Sequence, residues 1–343
     1  MSRIAIIGAG AWGTALSIVL GRQNRHEVRL WAYEEQVRKT IASTRKNEFF
    51  LPDHRIPECV AVTDNLAEAS KDAAFVVGAM PSQHARALFE RLSPHLGRET
   101  MVVSATKGLE QSTLLRMSEL ICLVAPHLCS VGALSGPSFA AEVARGDPTA
   151  LAIASSDPNL TNSVQREFSD SSFRLYRNDD TAGVELGGSL KNVIAIAAGV
   201  CHGLGLGHNS IAALITRGLA EMTRLVVACG GRPETTAGLA GLGDLVLTCT
   251  GDLSRNRSVG VELGRGRKLP EIIAAMHGQV AEGVFTTNAA VQLARSHRVE
   301  MPITEQMSFI LNEGKPPQQA IQELMAREFK SEAAVARSKP WAK

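Results

Sequence analysis

A chain of 343 residues, 45% hydrophobic and 20% charged, has room for about two domains with separate cores and the make-up of an ordinary soluble protein. A formal net charge of +2 with no long Lys/Arg run gives no nucleic-acid or membrane-surface footprint, so neither is an expected partner. Six scattered cysteines without CxxC or zinc spacing, nine histidines without HExxH pairing and no stretch that reads as a signal peptide predict reduced core thiols, a cytoplasmic location and no metal site.

The first element covers residues 4–20, IAIIGAGAWGTALSIVL. Its apolar start reads as a buried parallel strand, and Gly8, Gly10 and Gly13 at GxGxxG spacing lead into a helix. Gly8 allows the turn, Gly10 lets the backbone approach a pyrophosphate, and Gly13 lets the helix pack on the strand while its N-terminal amides face the anion. That order predicts a dinucleotide cofactor, NAD or NADP. Residues 26–31 (HEVRLW) supply a second strand. An acid after such a strand would bind the ribose hydroxyl of NAD, and an arginine the 2′-phosphate of NADP. Ala32, Tyr33, Glu34, Glu35 and Arg38 leave both open.

Residues 49–57 (FFLPDHRIP) read as an irregular stretch broken by two prolines. Further buried strands are expected at 73–79, 101–105, 130–134, 149–154 and 173–176, alternating with helical segments. The repetition predicts an α/β fold, with an N-terminal Rossmann-like doubly wound parallel sheet over residues 1–185. Lys107 leaves a strand end beside the expected cleft, directly before Gly108. Gly136, Pro137 and Ser138 read locally as a turn and helix cap, with Ser138 as N-cap and Glu142 in the first turn.

From Asp180 the strand signals vanish. Helical periodicity at 194–206, 211–228, 255–263, 269–276, 286–294, 304–311 and 318–329 predicts an all-α C-terminal domain over 186–331, followed by a loosely held tail at 332–343. The longest apolar stretch, 193–206, is too short to span a bilayer comfortably and reads as a core helix, so no integral membrane segment is expected.

Lys191 and Asn192 sit where the polar stretch 185–189 runs into that apolar helix. Burying an ammonium depresses its pKa and suits it to proton transfer near neutral pH. Asp244 follows three glycines in six residues, a flexible turn able to turn its carboxylate inward, and Thr248 shares its face if the segment is helical. Ser254, Arg255 and Asn256 then open a helix, where backbone amides, a guanidinium and a side-chain amide together suit a phosphate dianion.

The motifs GAGAWGTAL, ATKG at Lys107, GPSFAAE at Gly136, ELGGSLKNVIAIAAG around Lys191, AGLGDLVLTCT around Asp244, SRNR at Ser254 and VAEG at Glu282 resemble NAD(P)-dependent glycerol-3-phosphate dehydrogenase. The resemblance runs from Ile4 to about Glu332 and implies reversible reduction of dihydroxyacetone phosphate to sn-glycerol 3-phosphate, a phospholipid precursor. It implies Lys191 as the catalytic acid/base, Asp244 as the group that orients it or the substrate hydroxyl, and Lys107, Gly136 and Ser138 as substrate contacts. Lys107 joins Lys191 and Asp244 in the catalytic group. Arg255 and Asn256, with Ser254 beside them, would hold the phosphate, and Asn192 and Thr248 would flank the substrate. Ala11, Trp12, Tyr33, Lys107, Ala140, Arg255, Val280 and Glu282 would join Gly8, Gly10 and Gly13 around the cofactor.

Hydride reaching the ketone carbon would create an alkoxide that the Lys191 ammonium stabilises and protonates. Lys107 and Arg255 would lower the pKa of Lys191 by repulsion, and Asp244 would raise it. Two places depart from the family pattern. Ala32 and Tyr33 stand where many members carry a basic residue or histidine, and Ala11 stands where serine is common, its backbone amide making the expected contact. Two rival readings differ in what they need. Another two-domain β-hydroxyacid-type dehydrogenase would require further cations for a substrate carboxylate, and a dinucleotide sensor without turnover would have no use for Lys191, Asp244 and Arg255 together. The apolar helical half points to a homodimer.

Overall fold

The computed structural model describes residues 2–276, 280–328 and 331. The expected tail at 332–343, and the end of the expected last helix at Phe329, lie outside the described residues. Among the described residues ten strands are present: β1 (Ser2–Ile7), β2 (His26–Trp31), β3 (Lys46–Asn47), β4 (Leu51–Arg55), β5 (Val60–Thr63), β6 (Phe75–Gly78), β7 (Met101–Ser104), β8 (Ser130–Ser135), β9 (Thr149–Ala154) and β10 (Phe173–Asn178). Eight form one sheet in the order β10-β9-β8-β7-β6-β1-β2-β5, and β3 and β4 make a small antiparallel pair.

Helices α1 (Ala11–Arg22), α2 (Glu35–Thr44), α3 (Leu66–Ser70), α4 (Ser82–Leu92), α5 (Met117–Val124), α6 (Ala140–Arg145) and α7 (Pro158–Phe168) connect the strands. Alternation along β1 shows why both faces are covered. Ile4 and Ile6 join a core with Leu16, Leu20 and Phe168, while Ala5 and Ile7 join another with Phe89, Leu92 and Leu120.

The sheet departs from the expected one in three places. The β8–β9 pairing is antiparallel, so the sheet is mixed. The 136–148 connection carries only the six-residue α6, which packs beside α1 and returns the chain at the same end of the sheet. Part of the stretch expected to be irregular is β4, and β5 at the sheet edge carries no strong apolar signal because its outer residues are half-exposed.

After Asn178 every named element is helical: α8 (Thr181–Gly203), α9 (His208–Ala228), α10 (Pro233–Thr236), α11 (Asp244–Thr250), α12 (Arg255–Gly264), α13 (Leu269–Ala274), α14 (Glu282–Ser296), α15 (Pro302–Glu313) and α16 (Pro317–Met325). The axis of this half is α8, 23 residues long and buried from Gly183 to Cys201. It begins well before the expected start because the Asp180 carboxylate accepts from the Gly183 amide at 2.8 Å and caps it. Residues 185–189 are therefore inside the helix. Their glycines serve close packing, since a Cβ at Gly187 would meet the Ala240 carbonyl oxygen at 2.7 Å. By length and composition α8 could cross a membrane, yet 94% of that stretch is buried within the fold.

Helices α8 and α12 cross with their backbones in contact. A Cβ on Gly199 would lie 2.0 Å from the Arg257 carbonyl oxygen, and one on Gly260 only 1.9 Å from that of Ile196. Gly203 and Gly264 continue the contact one turn along. Of the six free cysteines, Cys201 and Cys249 are buried, whereas Cys59, Cys122 and Cys129 are exposed, which corrects the expectation that all are core residues.

Candidate active site

The glycine turn between β1 and α1 has three constraints that differ residue by residue. Gly8 has φ +115°, which disfavours a side chain, and a Cβ there would also meet the Ala79 carbonyl oxygen at 2.7 Å. A Cβ on Gly13 would sit 1.9 Å from the Gly8 carbonyl oxygen. On Gly10 it would meet nothing within 4 Å, so the open side of the turn lies there. Helix α1 starts at Ala11 with no side-chain cap and no acidic residue in its first turn. Its first amides and positive dipole end are left for an anion. Trp12 lies beside them with a buried indole Nε1 that has no partner among the described residues. A bare turn, free amides and an orphaned donor fit a dinucleotide. Ala140, the first residue of α6, packs against the same core as Trp12, and Tyr33 is 71% exposed just beyond β2.

Lys107 leaves the end of β7, and Lys191 lies midway along α8. Both reach Asp244, the first residue of α11. Lys191 Nζ donates to Asp244 Oδ1 at 2.5 Å, and Lys107 Nζ donates to Oδ2 at 2.8 Å. The glycines before Asp244 are not a flexible turn. Residues 239–243 form one π-helical turn running into α11, with Gly241 packed on the backbone of Thr236. The carboxylate is 1% exposed and sits at a helix N-terminus, where the dipole favours its charge.

Counting protons separates the two lysines. Thr248 Oγ1 spends its proton on the Asp244 carbonyl at 2.6 Å, so it accepts from Lys191 Nζ at 2.6 Å. Lys191 thus has two protons engaged and one left. Lys107 also donates to the Gly136 carbonyl at 2.8 Å and to Ser138 Oγ at 3.0 Å, which engages all three. Ser138 is consequently not the N-cap of α6. That position is Phe139, and the Ser138 hydroxyl donates to the Gly136 carbonyl.

The Lys191 pKa is pushed down to about 8. Loss of hydration is the largest cause, the Asp244 charge opposes it, and the Lys107 charge adds to it. Cys249 packs nearby with its thiol pushed up to about 12 by burial, so it stays neutral.

The α8–α12 crossing sets Asn256 beside Asn192, with Arg255 the residue before it at the start of α12. Asn256 Nδ2 donates to Asn192 Oδ1 at 2.9 Å, and Asn256 Oδ1 accepts from the Gly283 amide at 2.9 Å. Asn192 Nδ2 reaches back to the Lys107 carbonyl at 3.4 Å. Ser254 accepts from the Arg257 amide and is the N-cap of α12. Arg255 keeps an accessible guanidinium, crowded by protein, which lowers its pKa without discharging it. It makes no hydrogen bond or salt bridge among the described residues, and Glu282 is the charge that opposes it.

Glu282 opens α14, and Val280 lies half-buried just before it. Its two oxygens accept from the Ser82 amide at 3.0 Å and the Ser82 hydroxyl at 2.8 Å, at the start of α4. A similar contact was not legible in sequence: Glu185 on α8 accepts from the Ser118 amide at 2.8 Å and pairs with Arg116 at 2.7 Å. Nothing in a linear pattern states which helix end a distant glutamate will cap. Three cations (Lys107, Lys191, Arg255) and two carboxylates (Asp244, Glu282) leave the cleft with one excess positive charge, suited to an anionic substrate.

Models of the NAD-dependent glycerol-3-phosphate dehydrogenase N-terminus and C-terminus match residues 3–161 and 180–322. Glycerol-3-phosphate dehydrogenase [NAD(P)+] of Koribacter versatilis is 64% identical over 95% of this chain and 98% of its own length. That of Acidobacterium capsulatum is 54% identical over 97% of this chain and 100% of its own. The crystal structure of glycerol-3-phosphate dehydrogenase from Coxiella burnetii superposes with a TM-score of 0.91 at 42% identity, covering 95% of this chain and 99% of that one. A phosphate-suited cleft under a dinucleotide turn, and relatives matched over nearly their whole length, leave one conclusion: the chain belongs to the NAD(P)-dependent glycerol-3-phosphate dehydrogenase family.

Proposed function

We infer that the chain catalyses reversible hydride transfer between NAD(P)H and dihydroxyacetone phosphate, giving sn-glycerol 3-phosphate. The observation that carries the chemistry is the single uncommitted proton of Lys191, on an ammonium whose pKa stands at about 8. The chemistry supplied by a bound nicotinamide is hydride donation or acceptance. In reduction, Lys191 gives its third proton to the alkoxide oxygen of the substrate. In oxidation, neutral Lys191 keeps its two donated hydrogen bonds to Asp244 and Thr248 and takes the hydroxyl proton with its lone pair. Asp244 and Thr248 aim the amine. Lys107 fixes Asp244 from the other side and joins Gly136 and Ser138 into one wall of the substrate site.

Arg255 binds the phosphate, with the amides of α12 and Asn256 beside it, and this binding away from the reacting carbon positions the carbonyl. Gly8, Gly10, Ala11, Trp12 and Gly13 hold the pyrophosphate, and Tyr33, Ala140, Val280 and Glu282 complete the cofactor cleft. The dinucleotide-binding domain ends with β10, a few residues before the expected 185, because α8 starts at Thr181 and belongs whole to the helical catalytic domain. We also infer a cytoplasmic homodimer that supplies glycerophospholipid synthesis. Six free cysteines support the compartment, and the exposed Leu206, Val227, Leu242 and Val246 of the helical half support self-association. The test follows absorbance of NADH or NADPH mixed with dihydroxyacetone phosphate. Oxidation of either is expected, and none by protein that binds the cofactor overturns the reading.

A further inference from the structure

The choice between NAD and NADP rests on the end of β2, where the ribose of a dinucleotide lies in a sheet of this order. The turn and this strand end are joined, since the Gly8 amide donates to the Trp31 carbonyl at 3.1 Å. Ala32 has only a methyl to offer, is fully buried, and its amide still donates to β5 at the Thr63 carbonyl, 2.9 Å away. No carboxylate therefore stands at residue 32, directly after the strand.

A guanidinium does stand at this end. Arg38, in the first turns of α2, folds back so that Nη1 donates to the Ala32 carbonyl at 2.8 Å and to the Tyr33 carbonyl at 2.7 Å. Its Nη2 pairs with Asp64 Oδ2 at 3.0 Å, just past β5. Of five N–H groups, the two on Nη1 are engaged by the carbonyls, and Nε and Nη2 make no hydrogen bond among the described residues, Nη2 being held by the ion pair alone. The side chain is 23% exposed, so it is anchored but reachable. The other charges nearby are Asp64, exposed Glu34, and Glu35, which Lys39 pairs at 2.8 Å.

Resting on the dehydrogenase reading above, we propose that Arg38 is the residue that decides cofactor preference, its guanidinium receiving the 2′-phosphate of NADP(H). Two fixed carbonyl contacts pre-position it, so little side-chain freedom is lost when the phosphate arrives. Asp64 holds it from the far side and cancels part of its charge, which keeps the preference modest and leaves NAD(H) usable.

The test measures binding rather than turnover, by calorimetry with 2′,5′-ADP and 5′-AMP. Arg38→Gln is expected to weaken 2′,5′-ADP by about tenfold or more, the size of one charge-assisted hydrogen bond, while 5′-AMP changes by less than about twofold. Asp64→Asn, which frees the guanidinium, is expected to tighten 2′,5′-ADP and leave 5′-AMP alone. Equal losses for both nucleotides in Arg38→Gln would mean that Arg38 only shapes the strand end, and no loss would mean that the phosphate lies elsewhere. Either result overturns the assignment and leaves the dehydrogenase reading standing. Unmodified protein that binds neither nucleotide overturns both.

Discussion

At the scale of the residue, the functional distinction is between two lysines that share one carboxylate. Lys107 has its three protons committed and Lys191 has two, so only Lys191 can exchange a proton without breaking an existing bond. Lys191→Ala should lower kcat by about 10³ or more, as loss of a general acid does, while leaving cofactor affinity close to normal. Steady-state kinetics with a parallel cofactor titration checks this, and retained turnover would remove Lys191 from the reaction. The depressed pKa sets the pH behaviour. Reduction needs the ammonium, so kcat/KM for dihydroxyacetone phosphate should fall as pH rises through about 8. Oxidation needs the neutral amine, so kcat/KM for sn-glycerol 3-phosphate should fall as pH drops through the same value. Profiles that bend the same way would contradict a shared group. Lys191, Asp244, Arg255 and the three turn glycines stand out in sequence because each pairs an unusual residue type with a revealing neighbour. The Ser138 contact did not, because a serine before a helix looks the same whether its hydroxyl caps that helix or, as here, bonds a carbonyl two residues back.

At the scale of the element, α8 and α12 depend on glycine to touch. Gly260→Ala would place a methyl 1.9 Å from the Ile196 carbonyl oxygen, and only separation of the helices relieves that. A loss of about 3 kcal/mol or more is expected from overpacking against backbone. Gly207→Ala, with nothing within 4 Å of its Cβ, is the control and should cost less than about 1 kcal/mol. Denaturation midpoints of the two variants decide the matter, and equal midpoints would dismiss the close-contact argument. Most of the sheet strands are legible because they are continuous apolar runs bounded by glycine or polar turns. The start of α8 is not, because Gly187, Gly188 and Ser189 look like a loop until their packing partners, Ala240 and Ser135, are in place.

At the scale of the whole molecule, two glutamates tie the helical half to the sheet half by capping helices, buried Glu185 at α5 and half-buried Glu282 at α4. Glu185→Ala leaves Arg116 without its buried partner and the Ser118 amide uncapped. A cost of about 3 kcal/mol is expected, as for other broken buried pairs, read as a lower thermal midpoint. An unchanged midpoint would mean that the tie contributes nothing. The backbone contact between α8 and α12 has a consequence for which substrates react. On the roles proposed above, Lys191 belongs to one helix and Arg255 to the other, so the main-chain contact fixes the spacing of the two backbones from which these side chains reach. The proposed site would then work as a gauge: ketone phosphates whose carbonyl and phosphorus match that spacing are expected to react, and a chain longer by one carbon is expected to present its carbonyl out of register with Lys191.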